Sequence, residues 1–377
     1  MELGPLEIII IASFFWLLLY LLDKKWPLKK YGLEVGFFYI IRRTKRLNSF
    51  LKKIAEKHPI FWNTTWNIGI AVAFGQIGFA LYTLTNNLHR FLSTPVSAQP
   101  VFLLLPGITV SLTWFPYLMT AIALTLISHE LSHGIAACAE RLKVKSAGII
   151  FAFITIGGFV EPDEEQFQKL KTISKLRIIS SGSFSNLTIG IVALLLMNAL
   201  LLPASGVLIQ AVQNDGPAFK AGLRSWDVVY SINNTEVNDV SDLGQVLINL
   251  EPDDKLIINS SRGLFLVIAE PSSYNKSGGT LGIQWANNYP LRFGASAFFT
   301  FHLRLLFEWI LLVLVNVSIF NMLPLYPLDG DAYIWALIEE RSKRAAKITR
   351  IVLSAISLVL LVSNVGLTFM KYGFTPF

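Results

Sequence analysis

Two imidazoles and a carboxylate fall within five residues, in Ser128-His129-Glu130-Leu131-Ser132-His133-Gly134. On a helix, positions i and i+4 share a face, so the rings of His129 and His133 can reach one metal ion. Glu130, one position on, can reach a water beside that metal and take its proton. The chain has 5 histidines, and two of them fall here, inside an apolar stretch. Ionisable groups in such a stretch are costly, so a cluster of them is a functional hypothesis by default. The bland alternative is a polar network between helices, and it needs separate partners for all three side chains within one turn.

A catalytic zinc takes three protein ligands and leaves a fourth position open. No further histidine suits the third place: His58 lies in a basic stretch, His89 in the outer loop 86–112 and His302 at the outer end of a later apolar run. The acids in apolar surroundings are Glu308 and Asp329. Depth separates them. His129 lies about 16 residues into its span, about 24 Å down at 1.5 Å per residue, and therefore in the inner leaflet. Asp329 stands at the inner end of its span, whereas Glu308 is about 30 Å away towards the outer surface. Glu308 pairs more naturally with Arg304 at i−4. Asp329 is the expected third ligand. It sits in Asn321-Met322-Leu323-Pro324-Leu325-Tyr326-Pro327-Leu328-Asp329-Gly330, where two prolines should unwind the helix beside the metal.

The elements that must hold these residues follow from composition. The chain has 377 residues, of which 53% are hydrophobic and 15% charged. A soluble domain carries about 25% charged residues. Mean hydropathy is +0.54. A disordered chain, a collagen, a coiled coil and a single soluble globule are excluded, and a polytopic helical membrane protein is expected. Six runs approach the roughly 20 apolar residues of a membrane span: 6–22, 60–85, 113–139, 177–202, 303–325 and 348–370. Two shorter apolar stretches do not. Residues 101–112 contain Pro106 and Gly107, and 147–160, rich in β-branched residues, Phe and Gly, reads as a re-entrant β-hairpin.

Charge gives the orientation. Residues 23–58 hold eleven Lys/Arg against three acids, a net +8 in a chain of net +7. A nucleic-acid partner would call for a more distributed excess. A single basic loop reads instead as a cytoplasmic, topology-setting segment with a minor role towards anionic lipid. Loops 140–176 and 339–347 are also basic and fall on the same side. The N-terminus and residues 203–302 are then extracytoplasmic. The lone Cys138 excludes an internal disulfide and a cysteine-rich zinc site.

Residues 203–290 differ in kind. Short alternating runs separated by Asp-Gly-Pro, Asn-Asn and Ser-Arg-Gly predict a small β-rich soluble domain. The expected organisation is an N-terminal membrane region at 1–112 with two helices and the basic loop, a first part of the catalytic core at 113–202, the soluble domain at 203–290, and a second part of the core at 291–377.

These motifs together resemble the site-2 proteases, a family of zinc-dependent intramembrane metalloproteases. The resemblance rests on His129-Glu130-x-x-His133, on Asn321-x-x-Pro324-x-x-x-Leu328-Asp329-Gly330, on Gly182-x-x-x-Asn186, on Gly157-Gly158-Phe159-Val160 in the hairpin, and on an insert whose Asp215-Gly216-Pro217-Ala218 and Ala221-Gly222-Leu223 segments look like a PDZ domain. It covers roughly residues 113–340. Three positions depart from the usual pattern: Ser132 and Ser183 in the membrane motifs, and Trp226 where PDZ domains usually carry Gly.

The resemblance implies one zinc per chain on His129, His133 and Asp329, with Glu130 as general acid and base. It also implies that Asn186 hydrogen-bonds substrate backbone or the developing oxyanion, although a bond between helices would equally explain that residue. The implied substrates are transmembrane segments of membrane-bound regulators, unwound before attack, with residues 147–160 offering an edge strand. Lipid is the other expected partner. A membrane metal transporter, or a non-catalytic scaffold carrying a PDZ domain, is the alternative; a scaffold has no use for Glu130.

Overall fold

Long apolar runs have no water to satisfy their backbone and close their hydrogen bonds internally as helices. The computed structural model describes residues 5–44, 46–105, 107, 109–152, 155–272 and 278–373. Helix α1 (Pro5–Lys25) covers the first predicted span. Then come strands β1 (Leu33–Val35) and β2 (Tyr39–Thr44), the short helix α2 (Arg46–Lys57) and the long helix α3 (Pro59–Ser93). Helix α4 (Phe115–Ala139) carries the histidine motif. Strands β3 (Val144–Ala152) and β4 (Thr155–Pro162) and helix α5 (Glu164–Gln168) lead into α6 (Thr172–Leu200). Five helical stretches among the described residues are long and apolar enough to cross a membrane, namely 59–93, 112–139, 172–200, 297–321 and 343–372. The run at 101–112 forms no such helix, and Pro106 lies outside the described residues.

The chain divides into two compact units, residues 1–192 with 309–377, and residues 193–308.

In the first unit, β3 and β4 form the expected hairpin, paired from Ala147↔Val160 to Ala152↔Thr155. The basic segment is a correction to the sequence reading. It is no simple loop, because β1 and β2 extend the hairpin into a four-stranded antiparallel sheet, β1-β2-β3-β4. Tyr39↔Ala152 through Thr44↔Ala147 register β2 on β3. The rest of the segment forms α2, whose Leu51 and Ala55 are fully buried. Helix α2 lies on α4, where Leu51 fills the space a side chain would need at Gly134.

The helices of this unit are apolar outside, and apolar clusters at their contacts, such as Ala73, Ile77, Leu176 and Met322, are joined by buried polar pairs. Phe74, Tyr82 and Val362 face outward. Gln76 Nε2 donates to Ser318 Oγ (3.1 Å) and Asn87 Nδ2 to Asn364 Oδ1 (2.9 Å), both buried. Such bonds tie apolar helices together where burial of hydrocarbon alone gives little direction.

The second unit holds β5 (Val207–Val212), α7 (Pro217–Ala221), β6 (Val228–Ile232), β7 (Thr235–Glu236) and α8 (Val240–Leu247). It continues with β8 (Lys255–Ser260), β9 (Gly263–Ile268), β10 (Glu270–Pro271), β11 (Gly279–Thr280) and β12 (Ile283–Asn287). The main sheet runs β12-β5-β6-β8-β9, with β7 paired to β6, and encloses a core of Val207, Ile209, Leu223, Val229, Ile232 and Ile258. Buried Asp227 receives a two-pronged hydrogen bond from Arg262, 2.5 Å on each arm. Trp226 adopts φ 75°, the left-handed region where glycine is usual, and its ring meets Phe298 (4.8 Å between centroids) and His302 (5.4 Å). The side chain that costs backbone strain is thus used in an aromatic cluster.

Helix α9 (Ala297–Asn321) begins in the second unit and ends in the first. Residues 322–328 are unwound, as the two prolines require, and α10 (Asp329–Ile338) and α11 (Lys343–Tyr372) complete the chain.

Candidate metal centre

His129 and His133 stand one turn apart on α4, with Nε2 atoms 3.0 Å from each other. Asp329, the first residue of α10, places Oδ2 3.3 Å from His129 Nε2 and 3.5 Å from His133 Nε2. One ligand atom from each residue lies within 4.8 Å of the others. Three lone-pair atoms at this spacing repel unless a proton or a metal cation sits among them. Glu308, the rejected ligand, pairs with Arg304 at 2.6 Å in the second unit.

The histidine rings are held from behind. His133 Nδ1 lies 2.7 Å from the carbonyl of Ile178, the geometry of an N–H donating to that oxygen. This leaves the Nε2 lone pair for the centre. His129 has its Nδ1 3.5 Å from Asn186 Nδ2, and Asn186 Oδ1 accepts from Ser128 Oγ at 2.7 Å. Asn186 is fully buried. Here it links α6 to α4 behind His129, the bond between helices that its sequence context left open.

Helix α6 reaches the rings because residue 182 is glycine. A Cβ there would stand 2.5 Å from His133 Nε2 and 2.6 Å from His129 Cε1. Gly330 does the same for α10, where a Cβ would meet the carbonyl of Met322 at 2.2 Å. Ser183, one of the departures from the family pattern, turns its Oγ towards Asp329 Oδ2 at 3.4 Å. Sequence reasoning gave it no such contact, and its place one residue after Gly182 was the available signal. Ser132 is buried.

Asp329 is braced by a residue that sequence reasoning missed. Asp331, two positions on and buried, takes both Arg350 Nε contacts at 2.8 Å. The Arg350 guanidinium lies over the rings of Tyr326 (4.9 Å) and Trp335 (5.2 Å). Helix α11 thereby pins the start of α10. An acid at 331 and a basic residue 19 positions later gave no periodic signal.

Glu130 also reaches β4, where its Oε2 accepts the Val160 N–H at 3.0 Å. Its stem rests on Gly158, where a Cβ would meet Glu130 Cγ at 3.2 Å. A small cavity, about 180 Å³, opens between Glu130, His133, Asp329, Val160, Phe167 and Ile178. It brings a carboxylate, a candidate metal site and room for a few waters together.

The chain matches the model of peptidase family M50 over residues 117–363 and belongs to that family, the family of the site-2 proteases. The membrane-spanning helices and the family together make it a multi-pass membrane protein of peptidase type. Its relatives include an uncharacterized protein of Methanocaldococcus jannaschii, 28% identical over 345 residues, 89% of this chain and 87% of that one. A membrane-bound transcription factor site-2 protease homolog of Arabidopsis thaliana is 27% identical over 203 residues, 51% of this chain and 39% of that protein. A periplasmic serine endoprotease DegP-like protein of Brucella suis is 33% identical over 79 residues, 19% of this chain and 15% of its own length.

Proposed function

We propose that this protein is a zinc-dependent intramembrane endopeptidase that cuts transmembrane segments of membrane-bound proteins. The observation that carries the proposal is the convergence of His129, His133 and Asp329 next to Glu130. The separations of 3.0, 3.3 and 3.5 Å support zinc. Bonds of about 2.0 Å in tetrahedral coordination put ligands about 3.3 Å apart. Two imidazoles and one carboxylate are also a usual donor set for catalytic zinc.

In this reading His129, His133 and Asp329 hold the ion. Zinc bound there supplies a Lewis acid for the scissile carbonyl and lowers the pKa of water. Glu130 takes a proton from the attacking water and returns it to the leaving amine nitrogen. Asn186 and the Ile178 carbonyl fix the two rings, so that both present Nε2 to one point. Asn186 is a positioning residue here rather than an oxyanion donor.

Residues 203–290 act as a PDZ-like domain that selects substrates by bulk or by an exposed C-terminus. The order of strands and helices in the insert supports that assignment. The charge distribution supports a cytoplasmic basic segment and an extracytoplasmic insert. Substrate backbone is presented as an extended strand beside β4.

The test is zinc content and cleavage of a membrane-embedded peptide, measured on one purified sample of wild-type protein and of Glu130→Gln. Stoichiometric zinc with cleavage only in the wild type is expected. Equal cleavage by both would remove the proposal.

A further inference from the structure

The small cavity at the candidate metal centre has two unlike ends. Glu130, His133 and Asp329 make the polar one. The other is apolar and is drawn from four elements: Ala137 of α4, Val160 and Pro162 of β4, Phe167 of α5, and Ile178 and Ile179 of α6. Positions i and i+2 of a strand share a face, so Val160 and Pro162 turn to the same side. That side meets α4, because a Cβ on Gly134 would stand 3.3 Å from Val160 Cγ2.

The apolar wall is fixed in place. Ile178 and Ile179 are buried, and Phe167 packs against the clusters that hold each of them. Phe167 is set by Asp163, whose Oδ1 accepts from Gln166 N at 3.1 Å and whose carbonyl accepts from Phe167 N at 2.9 Å. Asp163 in turn donates its own N–H to the Lys143 carbonyl at 2.8 Å. Water against such a wall finds few partners, and an apolar group that displaces it gains affinity. A cavity of about 150 Å³ takes a benzene ring. This one, at about 180 Å³, has room for the side chain of Leu or Phe. An acidic side chain would meet the carboxylates of Glu130 and Asp329, and the apolar wall offers it no donor.

We infer that this cavity is the subsite for one bulky apolar side chain, Leu or Phe, on a residue adjoining the bond to be cut, and that Ala137 and Phe167 set its size. The inference rests on the peptidase reading proposed above. Two of the candidate metal ligands line the same cavity, so a side chain that fills it leaves its own backbone at the metal centre. Neighbouring side chains of an extended segment point to opposite faces. Only one of the two residues that flank the bond is therefore read here.

The experiment measures zinc content and ligand affinity on full-length, zinc-loaded protein. The probes are amino-acid hydroxamates with Ala, Leu, Phe, Trp or Asp side chains, which chelate zinc and need no turnover. The Leu and Phe probes should bind the wild type at least about 10-fold more tightly than the Ala probe, and the Asp probe should bind worst. Ala137→Leu fills the cavity and should erase the advantage of Leu over Ala. Phe167→Ala widens it and should move the preference to Trp; should Ala137→Leu not fold, this variant decides alone. Both variants should keep the zinc of the wild type. Equal affinity of the Ala and Leu probes for the wild type would overturn the subsite and leave the peptidase reading in place. So would an unchanged order of probes in zinc-loaded Phe167→Ala. A wild-type protein that takes up no zinc would remove the peptidase reading and the subsite with it.

Discussion

Glu130 accepts the backbone N–H of Val160 at 3.0 Å, so the carboxylate beside the candidate metal centre and the outer edge of the four-stranded sheet occupy each other. Strand β4 is the last in the sheet, and its free edge faces α4 rather than an empty groove. Any segment that joins β4 here must first part these two groups. Parting them would also free the carboxylate for the proton transfer proposed above.

Substituting Glu130 with Gln should leave zinc bound and the fold intact. Gln still accepts from Val160 N–H but is too weak a base. Cleavage should fall about 10²–10⁴-fold. Metal analysis and turnover on the same preparation check this, and full turnover with full zinc would sink the assigned role.

Gly182→Ala should abolish metal binding although it adds one methyl group. That methyl would overlap both imidazoles, at 2.5 and 2.6 Å. Gly75→Ala on α3, where nothing lies within 4 Å, is the matched control and should behave as wild type. Zinc retention by Gly182→Ala after dialysis against a weak chelator would contradict the close approach of α6.

Arg350→Met should loosen the start of α10. It leaves the Asp331 carboxylate, 2% exposed, without its cation. Breaking a buried pair costs about 3–5 kcal/mol, less here because the arginine is partly exposed. Zinc affinity should drop with it, since Asp329 is two residues away. Chelator competition and thermal unfolding measure both, and unchanged values would show the clamp to be idle.

Glu236→Cys in a Cys138→Ser background should react with a membrane-impermeant maleimide on intact cells. Glu236 is exposed on β7, and Cys138 is the chain's only cysteine. Reaction only after permeabilisation would reverse the assigned orientation of the insert.

The parts of the site that lie within one helix turn were readable in the sequence, because i,i+4 spacing fixes geometry before any tertiary contact forms. The convergence of Asp329 on the two histidines was readable through depth and through the Leu328-Asp329-Gly330 motif. The fate of residues 23–58 was not. Leu33–Val35 and Tyr39–Thr44 are short and carry three charges, and a strand becomes stable only when it finds its neighbour. For Ile41 that neighbour is Ile150, more than a hundred residues on. The Ile178 carbonyl and the Arg350 clamp were hidden for the same reason, since main-chain acceptors and single distant ion pairs leave no pattern. Asn186 was visible as a polar residue in an apolar helix, but which face of α4 it meets depends on how closely α6 approaches, and Gly182 decides that.

The three candidate ligands come from α4 and α10, and Asp329 follows His129 by 200 residues. A ribosome that has delivered α4 into the membrane has still to make the insert and all of α9 before the third ligand exists. A nascent chain cannot assemble the centre in that interval, whatever helices surround it. The order of the segments would therefore hold back the proposed activity during synthesis, because the centre cannot close until the segment that carries Asp329 has been made.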